Sequence, residues 1–162
     1  MVKIKITIIS AGKVKEKYFL SAIDEYVKRL SRYTKMEFIS LKQGHTTQEM
    51  SEKDIVNVKE DEGLRILDRI SEREYVIALD LKGIELTSEK FSDKIQNLRV
   101  TGKSNITFII GGSHGLSEKV LKRANYKICF SKMTFPHKLM KVILVEQIYR
   151  AFKIISNEPY HK

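Results

Sequence analysis

Tryptophan is absent from this 162-residue chain, cysteine occurs once and proline twice. A single Cys129 excludes an intrachain disulfide framework and zinc held by cysteines, and its place in an apolar run marks an inert buried thiol. With only Pro136 and Pro159, no Pro-rich linker exists, and no repeat or low-complexity segment divides the chain. No apolar run approaches the roughly 20 residues of a membrane span. Residues 1–6 read as a strand without a signal-peptide core, so a cytoplasmic protein without membrane association is expected. The four histidines, His45, His114, His137 and His161, are too scattered in sequence to suggest a metal site, and none is expected. Also missing are a phosphate-binding G-x-x-x-x-G-K-[ST] loop, a dinucleotide fingerprint and a nucleophile elbow, which argues against ATP, NAD and serine-hydrolase chemistry.

What is present suits one α/β domain over residues 1–162. A chain of this length with 42% hydrophobic residues buries one sizeable core. The formal net charge is +10, unevenly placed. Residues 117–162 hold ten Lys/Arg against three Asp/Glu, whereas residues 51–116 hold ten against twelve. A positive field focused on one end attracts a polyanion such as a nucleic acid, or else is simply a soluble basic surface.

Hydrophobic spacing gives the order of elements. Residues 3–10 form a strand with Ile4, Ile6 and Ile8 on one face, 18–30 an amphipathic helix, and 35–41 a second strand. The polar stretch 43–52 is a loop in which His45 is solvated. A helix is expected over 54–70, interrupted weakly by Gly63, then a buried parallel strand over 75–81. Thr87 or Ser88 caps a helix to Leu98, 105–110 is the next buried strand, and a short helix runs from Ser117 to about Ala124. The last strand is 126–130 and the last helix 138–155. Alternating strands and helices predict a mostly parallel sheet with helices on both faces.

Open sheets of this kind place ligands at the C-terminal ends of their strands. Three such ends carry unusual residues: 79–83, 109–115 and 129–135. Glycines there let a ligand reach main-chain groups, or else simply make turns. A flat neutral ring such as adenine suits those backbone groups together with Leu79, Met133 and Phe135. His114 reads equally as a base or a turn residue, and His137 as a capping residue or a phosphate contact. The polar end, 156–162, either frays or docks Tyr160, His161 and Lys162 against a base and its phosphates.

The residues Leu79-Asp80 with Gly83, Ile109-Ile110-Gly111-Gly112 with Gly115-Leu116-Ser117, Phe135-Pro136-His137, Glu146 to Ala151, and Asn157 with Pro159-Tyr160-His161 together carry a resemblance. In that order, and over essentially the full length, the chain resembles the SPOUT-class rRNA methyltransferases of the RlmH (YbeA) family. The resemblance implies an α/β SPOUT fold with a C-terminal deep trefoil knot, approximately residues 75–162, which periodicity does not predict. It implies S-adenosyl-L-methionine as cofactor, held by Leu79, Gly111, Phe130, Ser131, Lys132, Met133, Thr134 and Phe135. It implies Tyr160, His161 and Lys162 as catalytic residues, and a homodimer. The implied substrate is pseudouridine 1915 of 23S rRNA in the assembled 70S ribosome, methylated on N3. Members of the family often end in Tyr-His-Arg; Lys162 keeps the charge and loses the forked guanidinium geometry. The long last helix, apolar around much of its circumference, also suggests a partner subunit.

Overall fold

A computed structural model describes residues 3–162. Five parallel strands, β1 (Lys5–Ala11), β2 (Lys35–Leu41), β3 (Tyr75–Glu85), β4 (Asn105–Ile110) and β5 (Tyr126–Cys129), form one sheet in the order β2-β1-β4-β3-β5. The helices are α1 (Lys17–Leu30), α2 (Glu52–Leu67), α3 (Ser88–Val100), α4 (Glu118–Arg123) and α5 (His137–Ile155).

Period-two alternation decides which helices cover which face. Ile6, Ile8, Ile77, Ile106, Phe108 and Ile128 pack with Leu30 of α1, Phe91 and Ile95 of α3, and Leu144, Ile148 and Phe152 of α5. On the other face Ile9, Val76, Ala78 and Ile109 meet Ile66 of α2 and Val120 of α4. Burying each such side chain stabilises by about 1.5–3 kcal/mol, so these two layers dominate the fold.

Small polar residues fix where helices begin. Ser51 accepts from the Asp54 N–H while Asp54 accepts from the Ser51 N–H, a reciprocal cap that starts α2 two residues before the expected position. Thr87 and Ser117 cap α3 and α4 by accepting from Lys90 and Val120. Gly63 is no interruption: a Cβ there would strike the Ser117 side chain, so the glycine lets α2 and the start of α4 touch.

One expectation is corrected. β3 does not end at Leu81. After an irregularity over 80–83 it pairs again with β5, Ile84 opposite Ile128 and Glu85 opposite Cys129. Gly83 allows that contact, because a Cβ would lie 2.7 Å from the Ile128 carbonyl carbon. The apolar girth of α5 also has an explanation within one chain, since the helix packs against both α1 and α3 as well as the sheet. Its Leu139, Val142 and Ile143 stay half-exposed.

The residues after α5 are docked. The Asn157 and Glu158 N–H groups donate to Ile154 and Lys153 carbonyls at 3.1 and 3.0 Å, with Asn157 in the left-handed region at φ 53°. Glu158 then accepts from Lys153 Nζ at 2.6 Å and the Tyr33 hydroxyl at 2.8 Å.

Candidate active site

Because β4, β3 and β5 are neighbours, the segments 109–115, 79–83 and 129–135 share one edge of the sheet. Leu79 and Phe130 belong to the same apolar cluster, and the Phe130 ring meets Phe91 edge-on at 6.2 Å. Ser131 organises the following loop: its hydroxyl accepts from the Met133 N–H at 3.0 Å and its carbonyl from Cys129 Sγ at 3.0 Å. Among the described residues no backbone-to-backbone hydrogen bond ties 131–135. Lys132, Met133 and Thr134 are exposed, Met133 to 75%. Free main-chain donors and acceptors beside an exposed thioether and half-buried Phe130 and Phe135 suit a flat, largely uncharged adenosyl group, so the residues fit S-adenosyl-L-methionine.

Gly111 serves the turn first. A Cβ there would lie 2.9 Å from the Gly115 carbonyl carbon, and the Gly115 N–H closes the turn on the Gly112 carbonyl at 3.1 Å. The space left by its missing side chain is therefore occupied by the returning main chain. His114 sits in this turn with its Nε2 buried and unpartnered.

The docked tail meets a network that sequence spacing alone did not single out. Glu146 Oε1 accepts from the Tyr160 hydroxyl at 3.0 Å and from Arg150 Nε and Nη2 at 3.0 and 2.6 Å. Gln147 donates to the other Glu146 oxygen and accepts from Ser88. His161 lies between Arg150 and Glu89, with Nδ1 3.1 Å from Arg150 Nη1 and Nε2 2.7 Å from Glu89 Oε1. A guanidinium only donates, so Nδ1 accepts and the ring proton sits on Nε2, directed at Glu89. The Tyr160 ring packs edge-on against Tyr149 at 4.8 Å and beneath the Arg150 guanidinium at 4.8 Å. Burial, then hydrogen bonds with Tyr26 and Glu146, push the Tyr160 hydroxyl well above its ordinary pKa, making it a neutral donor. Lys162 is exposed.

Tyr160 packs against the same cluster as Leu79 and Phe130, and Glu89 precedes Phe91 by two residues on α3. The tail and the start of the 130–135 loop are thus joined through α3. Glu146 and Arg150 are separated by four positions on a helix, the one legible trace of the network.

A second polar group lies at the ends of β1 and β2. Lys141, 5% exposed, has hydroxyl contacts at 3.3 Å to Ser10 and 3.4 Å to Ser40, and lies over the Phe38 ring. Burial lowers its pKa. His137, the first residue of α5, sits over Gly12, where a Cβ would be 3.4 Å from its Nε2. Burial first, then Lys138, lowers its pKa, which disfavours the charged form that a phosphate contact would use.

The surface carries a cleft of about 530 Å³ beside α2 and another of about 320 Å³ around Gly83. Neither includes Gly111 or residues 130–135. Accessible main-chain chemistry, rather than cleft size, marks the candidate site.

A sheet of parallel strands with open main-chain loops at its C-terminal edge is an α/β arrangement able to seat an adenosyl group, and the likeness to known proteins makes it an S-adenosyl-L-methionine-dependent methyltransferase. A family model described as a predicted SPOUT methyltransferase matches residues 4–161. The chain is 62% identical over 157 residues to ribosomal RNA large subunit methyltransferase H 1 of Clostridium perfringens, covering 97% of this chain and 99% of that protein. It is 59% identical to ribosomal RNA large subunit methyltransferase H of Clostridium botulinum strain Alaska E43, with the same coverage. Among solved structures, a probable methylase family protein from Haemophilus influenzae matches with TM-score 0.54 at 14% identity, over 98% of this chain and 70% of that one, a likeness of fold alone. The chain belongs to the RlmH family of SPOUT methyltransferases.

Proposed function

We propose that this protein methylates N3 of pseudouridine 1915 in 23S rRNA within the assembled 70S ribosome. The observation that carries this reading is the docking of Tyr160 and His161 by Glu146, Arg150 and Glu89 on the helices that back the cofactor loops. A fraying tail could not orient a base; a tail held by three side-chain hydrogen bonds can.

S-adenosyl-L-methionine supplies an electrophilic sulfonium methyl group. Leu79, Gly111 and residues 130–135 would hold the adenosyl portion through main-chain groups and apolar contact. The target imide gives up its N3 proton, and the freed electron pair is the nucleophile that the bound donor's methyl group would take. Tyr160, a neutral donor whose hydroxyl is given to Glu146, fixes the tail beside the base. His161 accepts the imide proton at Nδ1 only when Arg150 releases that nitrogen. Lys162 faces the RNA phosphates as a free cation.

The rest of the reading follows. Residues 1–162 act as one SPOUT domain with a trefoil knot over approximately 75–162. The close passage of Gly83 over β5, and the return of α5 to lie between α3 and α1, support threading of the chain through the 80–83 excursion. A cytoplasmic homodimer completes the site. Half-exposed Leu139, Val142 and Ile143 on α5, with exposed Leu81, Ile84 and Met133 beside the loops, give a partner apolar surface to cover. No helix among the described residues is long and apolar enough to cross a membrane.

Radiolabelled methyl transfer to unmethylated 70S ribosomes, separated subunits and naked 23S rRNA tests the proposal. Strong labelling of 70S particles alone is expected. Equal labelling of naked rRNA would remove the ribosome from it.

A further inference from the structure

The sheet edge used by the cofactor loops continues past β4 to β1 and β2, whose ends lie side by side: the Gly12 N–H donates to the Leu41 carbonyl at 2.7 Å. Here the chain is basic in a way the C-terminal charge does not account for. Residues 1–50 hold ten Lys/Arg against five Asp/Glu. Lys13, Lys15 and Lys17 after β1 and Lys42 after β2 are exposed, and none of the four takes part in an ion pair among the described residues. The 530 Å³ cleft opens beside Lys42, between the β2–α2 loop with Lys42, Gln43 and His45 and the α2 face with Asn57, Val58 and Arg65, and Lys13 follows Gly12, which borders Gln43. Its one acid, Asp61, is bound by Arg65, which also donates to the Lys42 carbonyl at 2.8 Å. The lining carries Lys42 and Arg65 against Asp61, with Glu62 behind it accepting from the Gly44 N–H at 2.8 Å, so Lys42 is the unpaired cation of the cleft among the described residues.

Gln43 joins this cleft to the site already described. Its Nε2 donates to Ser113 Oγ at 2.9 Å in the Gly111–Gly115 turn. Its amide also borders Gly12 and Gly112, where added Cβ atoms would lie 3.3 Å from it. A ligand in the cleft is one side chain away from the turn that borders the cofactor loops.

We infer that the cleft between the β2–α2 loop and α2 is an RNA subsite, taking one unpaired nucleotide that flanks the target, with its phosphate on Lys42 and Lys13. This rests on the reading of RNA as substrate. The volume lies within the range of sites that enclose small ligands. Val58 and the lysine stems offer an apolar wall, Asn57 an amide for a base edge, and the unpaired ammonium groups a phosphate contact, a combination suited to splayed single-stranded RNA.

The test compares wild type, Lys42→Glu, Lys42→Arg and Lys103→Glu. Lys103 is exposed in the α3–β4 connection, at the opposite edge of the sheet, and makes the same change of charge there. Dissociation constants for 70S ribosomes and for an unmodified 23S rRNA fragment would be measured across salt concentrations, alongside cofactor affinity and steady-state methyl transfer. Lys42→Glu should weaken RNA binding and raise KM by roughly tenfold and flatten the salt dependence by about one ion, with cofactor affinity intact. Lys42→Arg should retain most binding, and Lys103→Glu should match wild type. Equal weakening by Lys42→Glu and Lys103→Glu, or none by either, would overturn the subsite while leaving the methyltransferase reading in place. Failure of wild type to bind ribosomes or rRNA at all would instead remove the RNA reading and the subsite with it.

Discussion

Arg150 Nη1 lies 3.1 Å from His161 Nδ1, so the acceptor nitrogen of the tail histidine is covered by a group that cannot itself accept a proton. The contact orders His161 and also blocks it. Arg150→Ala should therefore loosen the tail and lower kcat by about tenfold or more, near 1.4 kcal/mol of transition-state stabilisation, with cofactor affinity held within about twofold. Arg150→Lys should recover part of the loss. Single-turnover methyl transfer with calorimetric cofactor binding separates the two effects.

Deleting residues 160–162 removes the ring against Tyr149 and one partner of Glu146, but little of either apolar layer. Melting should fall slightly and cofactor binding persist, while turnover collapses. Tyr160→Phe keeps the ring and removes the donor to Glu146, so an intermediate rate is expected. Lys162→Arg reports whether a forked cation improves on the ammonium.

Gly83→Ala should be among the most damaging single substitutions, because the new Cβ would meet the backbone of Lys127 and Ile128 at 2.7–2.8 Å. A loss of about 3 kcal/mol, or failure to fold, is expected from overpacking against main chain. At Gly102, with φ +81° and no atom within 4 Å of an added Cβ, alanine should cost only about 1 kcal/mol of backbone strain. Gly111→Val should act in a third way, displacing the Gly115 turn and weakening cofactor binding more than stability. Chemical denaturation and cofactor titration of the three variants distinguish these outcomes.

Lys141 tests the cost of a buried cation without a carboxylate. Burial lowers its folded-state pKa below the unfolded value, so the native state releases its proton first as pH rises. Between those two values the unfolded chain binds more protons, and stability rises with pH through that alkaline window. Below the folded value the full penalty applies. Lys141→Met should stabilise the protein at neutral pH by about 1–2 kcal/mol and flatten the alkaline rise. Denaturation of both proteins across the alkaline range checks the sign.

The elements were legible because burial imposes periodicity: alternating Ile6, Ile8, Phe108 and Ile110 mark strands, and Thr87 and Ser117 mark helix starts, whereas the Ser51 cap lay hidden in a polar stretch. Strand order was not, since nothing local in Lys5–Ala11 says that β4 will be its neighbour. The extension of β3 through Lys82, Gly83 and Glu85 was hidden by turn-like composition. The candidate cofactor loops stand out in the sequence as glycine-bearing and irregular stretches at strand ends. The tail network does not, because Glu89 and His161 meet across 72 positions, and a charged residue on a helix gives no sign of a distant partner. Lys141 lies within the apolar run of α5, and that misfit was its only signal.

The most direct measurement is the identity of the methylated nucleoside. Unmethylated 70S ribosomes incubated with the protein and S-adenosyl-L-methionine carrying a heavy-isotope methyl group would be digested and their nucleosides resolved by mass spectrometry. N3-methylpseudouridine bearing one heavy methyl, absent when residues 160–162 are removed, is the expected product. A heavy methyl on any other nucleoside, or undiminished product from the tail-deleted protein, would contradict the role assigned here to the docked tail and the loops beside it.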